Sequence, residues 1–270
     1  MKNILFIALL LCLNTAVFAY SRIVSLAPSV TESLYELGLD KNIIGITSFC
    51  PKGKSKKEII GTLLESNLEK ILSLKPDLVV ATKEGNNKAA IEKLMRMGLN
   101  VYVMDTSKTF VEICSSYLAL ADQVGKTKDA KAIIADSKRT VEAIRNKIDY
   151  KKTRSVFWEV GAKPLYTAGA KSYANDYNYY TKTSNIYKDI NMRYPQIDVE
   201  DVVKRNPDII IIVNMGDVSS QEIDLWNKYL HDKTVFMINV NDIFTPTPQT
   251  FAKGLQLIAK RIYPEIFGGK

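Results

Sequence analysis

The segment Asn67 to Val80, NLEKILSLKPDLVV, returns later in the chain as Asp198 to Ile211, DVEDVVKRNPDIII, and the two align without a gap. Each copy runs aliphatic, Glu, a charged residue, two aliphatics, three helix-compatible residues, Pro-Asp and an aliphatic run. The residue before a proline is pushed out of the helical region, so Pro76 and Pro207 each end a helix, and the Asp that follows opens a buried strand. Glu69 and Glu200 fall near the N-terminal ends of those helices, where the positive end of the macrodipole favours a carboxylate. Capping alone accounts for each glutamate but not for the recurrence of the whole segment. A chain that uses one helix-to-strand unit twice is expected to build two matched lobes, each presenting an acidic point on a corresponding surface.

The surrounding pattern agrees with that expectation. Arg22 to Leu26, Asn42 to Ile46, Asp77 to Thr82 and Asn100 to Asp105 are short β-branched runs, separated by segments with apolar residues at three- and four-residue steps. Gly38 and Gly98 follow such segments as helix C-caps do. Past Thr109 the strands stop, and the chain reads as helix to Ile148 with a break at Gly125. Alternation resumes with strands at Arg154 to Val160, Asp208 to Val213 and Thr234 to Asn239. Strand-helix alternation makes a parallel sheet covered on both faces. The expected fold is α/β: two lobes with central parallel sheets, residues 20–124 and 151–270, joined by a single long helix over residues 125–150. One stiff connector resists the wide hinge closure that several flexible linkers would allow.

The first 19 residues have a different character. Lys2 precedes ten apolar residues from Ile4 to Leu13, and Val17-Phe18-Ala19 has the spacing of a signal-peptidase site, so cleavage is expected to leave Tyr20 first and to export the protein. Ten apolar residues are too few to span a bilayer. Cys12 follows Leu11 where a lipoprotein signal needs a small residue. Cys50 and Cys114 then remain, and either one disulfide or two separate thiols fits an oxidising compartment.

The formal net charge of +8 fits anionic ligands or surfaces. The basic residues are scattered, without the aromatic interleaving of nucleic-acid binders. With 46% apolar residues the chain has the composition of a well-cored protein. Catalytic equipment is sparse. The single histidine, His231, sits in a turn-like stretch, so neither a His-rich metal cage nor a Ser/His/Asp triad with a well-placed base is suggested. The Gly53 to Ser55 stretch lacks the first glycine of a phosphate loop, because Ser48 occupies it. An exported two-lobed protein of this kind is expected to bind rather than to catalyse. Ligands in open α/β sheets lie beyond the carboxyl ends of strands. That places the candidates at Ala27 to Ser29, Thr47 to Cys50, Thr82 to Glu84, Gly161 to Thr167, Met215-Gly216 and Asn241 to Thr245.

At these residues the sequence resembles a known family. RIVSLAPSVTESLYELGL, NLEKILSLKPDLVVAT, VFWEVGAKPLYTAG and YPQIDVEDVVKRNPDIIII together resemble the class III periplasmic substrate-binding proteins of ABC importers, whose members carry corrinoids, haem or ferric siderophores. The resemblance spans nearly the whole mature chain. It implies a monomeric periplasmic component without a cofactor of its own, which holds a metal chelate between its lobes and delivers it to permease subunits with their ATPases. Glu69 and Glu200 match the glutamates by which family members dock onto permease arginines. Ser29, Phe49, Tyr166, Tyr194 and Asp242 match positions that line the cleft of the corrinoid-binding branch, which makes cobalamin the leading ligand. Leu63 and Thr82 replace tryptophans of that branch, and its arginine shortly after Asp242 is missing. Haem is an alternative, through the tyrosines of SYANDYNYYTKTSNIY, although these also read as a polar lobe surface. A ferric siderophore, with Lys83, Lys163 and Lys171 supplying cations, is another. The alternative from a different class is an exported metal-insertion or modifying enzyme on a related two-lobed architecture.

Overall fold

The computed structural model describes residues 20–214, 221–243 and 245–268. The leader expected at residues 1–19 lies outside them. The first sheet contains β1 (Ile23–Ser25), β2 (Ile43–Ile46), β3 (Glu58–Ile59), β4 (Leu78–Thr82) and β5 (Val101–Met104), in the order β3-β2-β1-β4-β5. Every pairing in it is parallel. The second contains β6 (Arg154–Ala162), β7 (Leu165–Thr167), β8 (Thr183–Asn185), β9 (Ile209–Asn214) and β10 (Thr234–Asn239). There the order is β10-β9-β6-β7, with β8 parallel to the start of β6 and β7 antiparallel to its end.

The helices are α1 (Pro28–Glu36), α2 (Leu68–Ser73), α3 (Lys88–Arg96), α4 (Phe110–Gln123), α5 (Thr127–Ile148), α6 (Ala174–Tyr180), α7 (Val199–Arg205), α8 (Gln221–Tyr229), α9 (Val240–Ile243), α10 (Pro248–Ile262) and α11 (Pro264–Phe267). The 22 residues of α5 run between the two sheets in sequence and span about 33 Å at 1.5 Å per residue. Its buried residues are Ala130, Ile134, Ser137, Val141, Ile144 and Ile148, alternating steps of four and three along one face, packed on α4 and α10.

Strand alternation divides the core. In β4, Leu78 and Val80 face a large central cluster while Val79 and Ala81 face a second. In β9, Ile209, Ile211 and Val213 face the central cluster while Ile210 and Ile212 face a third. The central cluster is continuous from β1 and β4, through α4, α5 and α10, to β6 and β9. Each sheet is thus covered on both faces, and the two sheets share one apolar layer. Within it Phe251 of α10 stacks on Tyr177 of α6 at 4.2 Å and on Phe110 of α4 at 4.8 Å between ring centroids.

The repeated segment adopts one conformation twice. Asn67 caps α2 by accepting from the Lys70 amide, and Asp198 stands at the equivalent N-cap of α7. Lys75 and Asn206, each just before the proline, share a left-handed φ of 47°. Asp77 accepts from the Ser21 amide at 2.7 Å, and Asp208 from the Ser155 amide at 2.7 Å, so each aspartate pins the start of the central strand in its own sheet. Strands β3, β7 and β8 escape the sequence reading because each has three residues or fewer and shows no period. The tyrosine-rich segment is not a polar surface: Tyr173, Tyr177 and Tyr187 are core residues, and only Tyr179 is well exposed among those five tyrosines with Tyr180 half-buried.

Asparagine tolerates the left-handed region that lysine avoids. Lys75→Asn is therefore expected to stabilise the protein by about 0.5 kcal/mol, read as a higher denaturant midpoint with an unchanged m-value.

Candidate ligand-binding cleft

A cavity of about 920 Å³ lies where the carboxyl ends of strands from both sheets converge. The first lobe contributes Ala27 to Ser29 after β1, Phe49 after β2, Thr82, Glu84 and Gly85 from the end of β4, and Met104 to Ser107 after β5. The second contributes Tyr173, Arg193 and Tyr194, and Val240, Asn241, Thr245 and Pro246 after β10.

Local chemistry sets each wall. The β1–α1 turn is fixed by a buried hydroxyl pair, Ser25 Oγ to Thr31 Oγ1 at 2.7 Å, and Thr31 Oγ1 donates to the Ala27 carbonyl at 3.1 Å. Pro28 at the first helical position then sets Ser29 at the cavity wall. Thr47 and Cys50 anchor the next turn, side chain to side chain at 3.1 Å, while Phe49 between them stays 75% exposed. The bare Phe49 ring offers an apolar face at the cavity wall. The Asn86 side chain ties three loops together: its Oδ1 accepts from the Thr82 amide at 2.8 Å, and its Nδ2 donates to the Leu26 and Leu63 carbonyls, each at 2.9 Å.

Opposite these, Arg193 and Tyr194 are aimed inward by backbone stitching. Ala170 N donates to the Ile190 carbonyl at 2.8 Å, Lys171 N to Met192 at 3.1 Å and Gly169 N to Arg193 at 2.9 Å. Gly169 is needed here, since a Cβ on it would stand 2.4 Å from the Met192 carbonyl oxygen. The Arg193 guanidinium lies over Tyr173 and Tyr194, 5.8 and 5.6 Å from their ring centroids, and pairs with Glu84 of the other lobe. Burial pushes the Tyr194 hydroxyl upward in pKa.

Of the residues expected at the site, Ser29, Phe49 and Tyr194 come together in the cavity. Asp242 lines an adjoining recess of about 480 Å³ that shares Phe49, Asn241 and Thr245 with the main one. Tyr166 is outside. The sequence reading ends a strand at Val160, whereas β6 continues to Ala162 and turns into the antiparallel β7. Residues 161–167 are thus a hairpin rather than a ligand loop, and the Tyr166 ring lies beside Gly161. Lys83, Lys163 and Lys171 are exposed and line neither cavity, and Lys83 pairs with Asp105 at 3.4 Å. Met215-Gly216 lie outside the described residues. Glu69 and Glu200 are both exposed in the first turns of α2 and α7. Cys50 and Cys114 are buried free thiols, and burial pushes Cys114 up to about 11. His231 is exposed between α8 and β10. Among the described residues no group of His, Cys, Asp and Glu is arranged to hold a metal ion, and no helix is long and apolar enough to cross a membrane. Arg193 and Asn86 had no sequence signal, because Glu84, Leu26 and Leu63, which they join, are distant from them along the chain.

A family model described as periplasmic binding protein matches residues 23–227. A vitamin B12-binding protein of Pectobacterium atrosepticum is 30% identical over 242 residues, covering 87% of this chain and 85% of its own length. The chain belongs to the periplasmic binding protein family. An uncharacterised ABC transporter substrate-binding lipoprotein of Bacillus subtilis is 30% identical over 256 residues, covering 91% of this chain and 81% of that protein. The crystal structure of the periplasmic vitamin B12-binding protein of Vibrio cholerae superposes with a TM-score of 0.77 at 23% identity, over 93% of this chain and 99% of that one. The fold is that of class III periplasmic binding proteins, a family of solute carriers that work outside the cytoplasm.

Beside the cavity, Glu36 at the end of α1 accepts from Thr247 Oγ1, the N-cap of α10, at 2.6 Å. Burial pushes its carboxyl up to about 7, with the Thr247 hydrogen bond pulling the other way and Glu32 adding to the rise. Glu159 in β6, buried against the Trp226 indole N–H, is also pushed up to about 7 by burial. In the unfolded chain both titrate near 4.5. Raised native values bind protons more tightly, so this contribution is complete below about pH 4.5 and is lost as pH rises through about 7. Thermal stability is expected to fall across that window, by on the order of 2–3 kcal/mol for Glu159. Glu159→Gln and Glu36→Gln should each flatten the profile, measured as Tm against pH.

Proposed function

We propose that the protein is the periplasmic substrate-binding component of an ABC importer, exported by a cleaved leader, which captures cobalamin or a related corrinoid in the cleft between its lobes and hands it to the permease. The observation that carries this reading is the cavity of about 920 Å³ between facing strand ends, with Phe49 and Tyr194 on opposite walls. That volume is at the upper end of small-molecule sites, and flat aromatic faces suit a large ring with an apolar rim. The named function of the Pectobacterium relative supports the same ligand. The protein works by binding and release and makes or breaks no bond in its cargo.

Glu69 and Glu200 are the docking points. They occupy equivalent positions in the two copies of the repeated segment, one per lobe, and both project from helix starts into solvent. Exposed carboxylates meeting arginines speed and orient an encounter more than they tighten it.

Protein incubated with cyanocobalamin and passed through a desalting column is expected to retain the red chromophore. Phe49→Ala and Tyr194→Ala should each weaken binding about tenfold, the loss expected for one buried aromatic face. A Soret band after incubation with haem, with no cobalamin retained, would replace the corrinoid assignment by haem.

The docking role is tested separately. The double variant Glu69→Lys, Glu200→Lys should keep wild-type cobalamin affinity yet lose stimulation of ATP hydrolysis by the reconstituted importer. Undiminished stimulation would remove the glutamates from the docking surface.

A further inference from the structure

The whole chain carries a formal charge of +8, yet its cleft does not share that excess. Among the described residues lining the main cavity the charged side chains are Glu84, Asp105 and Arg193, two negative and one positive. The cation is already matched: Arg193 reaches across the cleft to Glu84. Asp105 has its own partner in Lys83, outside the lining. The adjoining recess is balanced as well, with Glu32 and Asp242 against Lys52 and Lys253. Residues 215–220 and 244 contain no lysine or arginine.

The remaining polar lining is neutral. Ser29, Thr82, Thr106, Ser107 and Asn241 offer hydroxyl and amide groups that both donate and accept. Such groups match a fringe of amides or hydroxyls. They do not neutralise carboxylates or catecholates. An anionic chelate entering the cleft would meet the half-exposed Glu84 carboxylate on its wall, while Asp105 is largely in solvent and paired with Lys83. To gain Arg193 it would have to displace Glu84 and leave that carboxylate unpaired beside its own charge. Discrimination by such an unmatched charge is a repulsive form of specificity, independent of how well the ring fits.

We propose that the Glu84–Arg193 pair, set in an otherwise neutral polar lining, makes the cleft select metal chelates with no net negative charge and turn away polyanionic ones. The inference rests on the chelate-carrier reading above and narrows it. Arg193 acts here as the cross-lobe partner of Glu84 rather than as an open anion receptor. Amide-fringed neutral corrinoids and neutral or cationic ferric hydroxamates fall within the accepted class. Haem, with two propionates, and ferric tris-catecholates fall outside it.

The test is a set of dissociation constants, measured by equilibrium dialysis on the purified protein, for cyanocobalamin, a monocationic ferric tris-hydroxamate, haemin and a trianionic ferric tris-catecholate. At least one of the first two is expected to bind at least tenfold tighter than either of the last two. In Glu84→Gln, where Arg193 loses its carboxylate, the affinity of the anionic chelates relative to the best neutral or cationic one should rise at least fivefold. Glu84→Asp, which keeps the charge, should hold the wild-type ratio, and melting temperatures of both variants check that they are folded. Equal or tighter binding of haemin or the tris-catecholate by the wild-type protein overturns the charge selection and leaves the chelate-carrier reading standing. A ratio that does not move in Glu84→Gln removes the pair from the selection and overturns the proposal as stated. Failure of all four chelates to bind overturns both readings.

Discussion

The apolar layer shared by the two sheets is the constraint on which the rest of the molecule depends. Helices α4, α5 and α10 fill it, with α5 presenting one regular stripe of buried residues to the others. Because one continuous cluster serves both sheets, the relative placement of the lobes is decided by packing as well as by the connector. Close packing leaves few alternative arrangements. The carboxyl ends of the strands are thereby held facing one another, and the cleft follows from that placement.

On this frame the cleft is shaped by short loops rather than by regular elements. Asn86 gathers the ends of β1 and β4 with the loop at Leu63, and the backbone pairing of residues 169–171 with 190–193 sets the opposite wall. These are hydrogen bonds of ordinary length between groups that would otherwise need water. They hold Tyr194, Arg193 and the facing strand-end loops as a preorganised wall of the cavity.

The architecture was legible because its signals are local. Alternating β-branched runs marked the long parallel strands, and the Pro-Asp pairs at 76–77 and 207–208 marked the helix-to-strand junctions. The left-handed turn shared by Lys75 and Asn206 gives that repeat a conformational basis. The site was legible only in part. Ser29 and Phe49 follow strands directly, and strand ends are where such folds place ligands. Tyr166, assigned by resemblance, stands in the β6–β7 hairpin away from the cavity lining, and nothing in the sequence distinguishes a strand that ends at Val160 from one that continues into such a hairpin. The tyrosine-rich stretch misled for a related reason: Tyr173 and Tyr177 point their rings into the core and spend their hydroxyls on the Ile243 carbonyl. Arg193 could not be found from sequence, since its partner Glu84 comes from the other lobe.

The seam between the lobes also carries a reciprocal exchange of carboxylates. Asp176 of α6 accepts from the Phe110 amide at the start of α4, while Glu36 of α1 accepts from Thr247 at the start of α10. Asp176 thereby takes up an orphan amide at the start of α4, and Glu36 holds the hydroxyl of Thr247, which itself caps α10. The lobes are consequently not interchangeable modules. A chimera that joined one lobe of this protein to the other lobe of a relative would inherit a mismatched seam even if both cleft walls were intact. Exchanging only strand-end loops that line the cavity within one lobe, such as Ala27 to Ser29, would leave the Asp176 and Glu36 contacts in place.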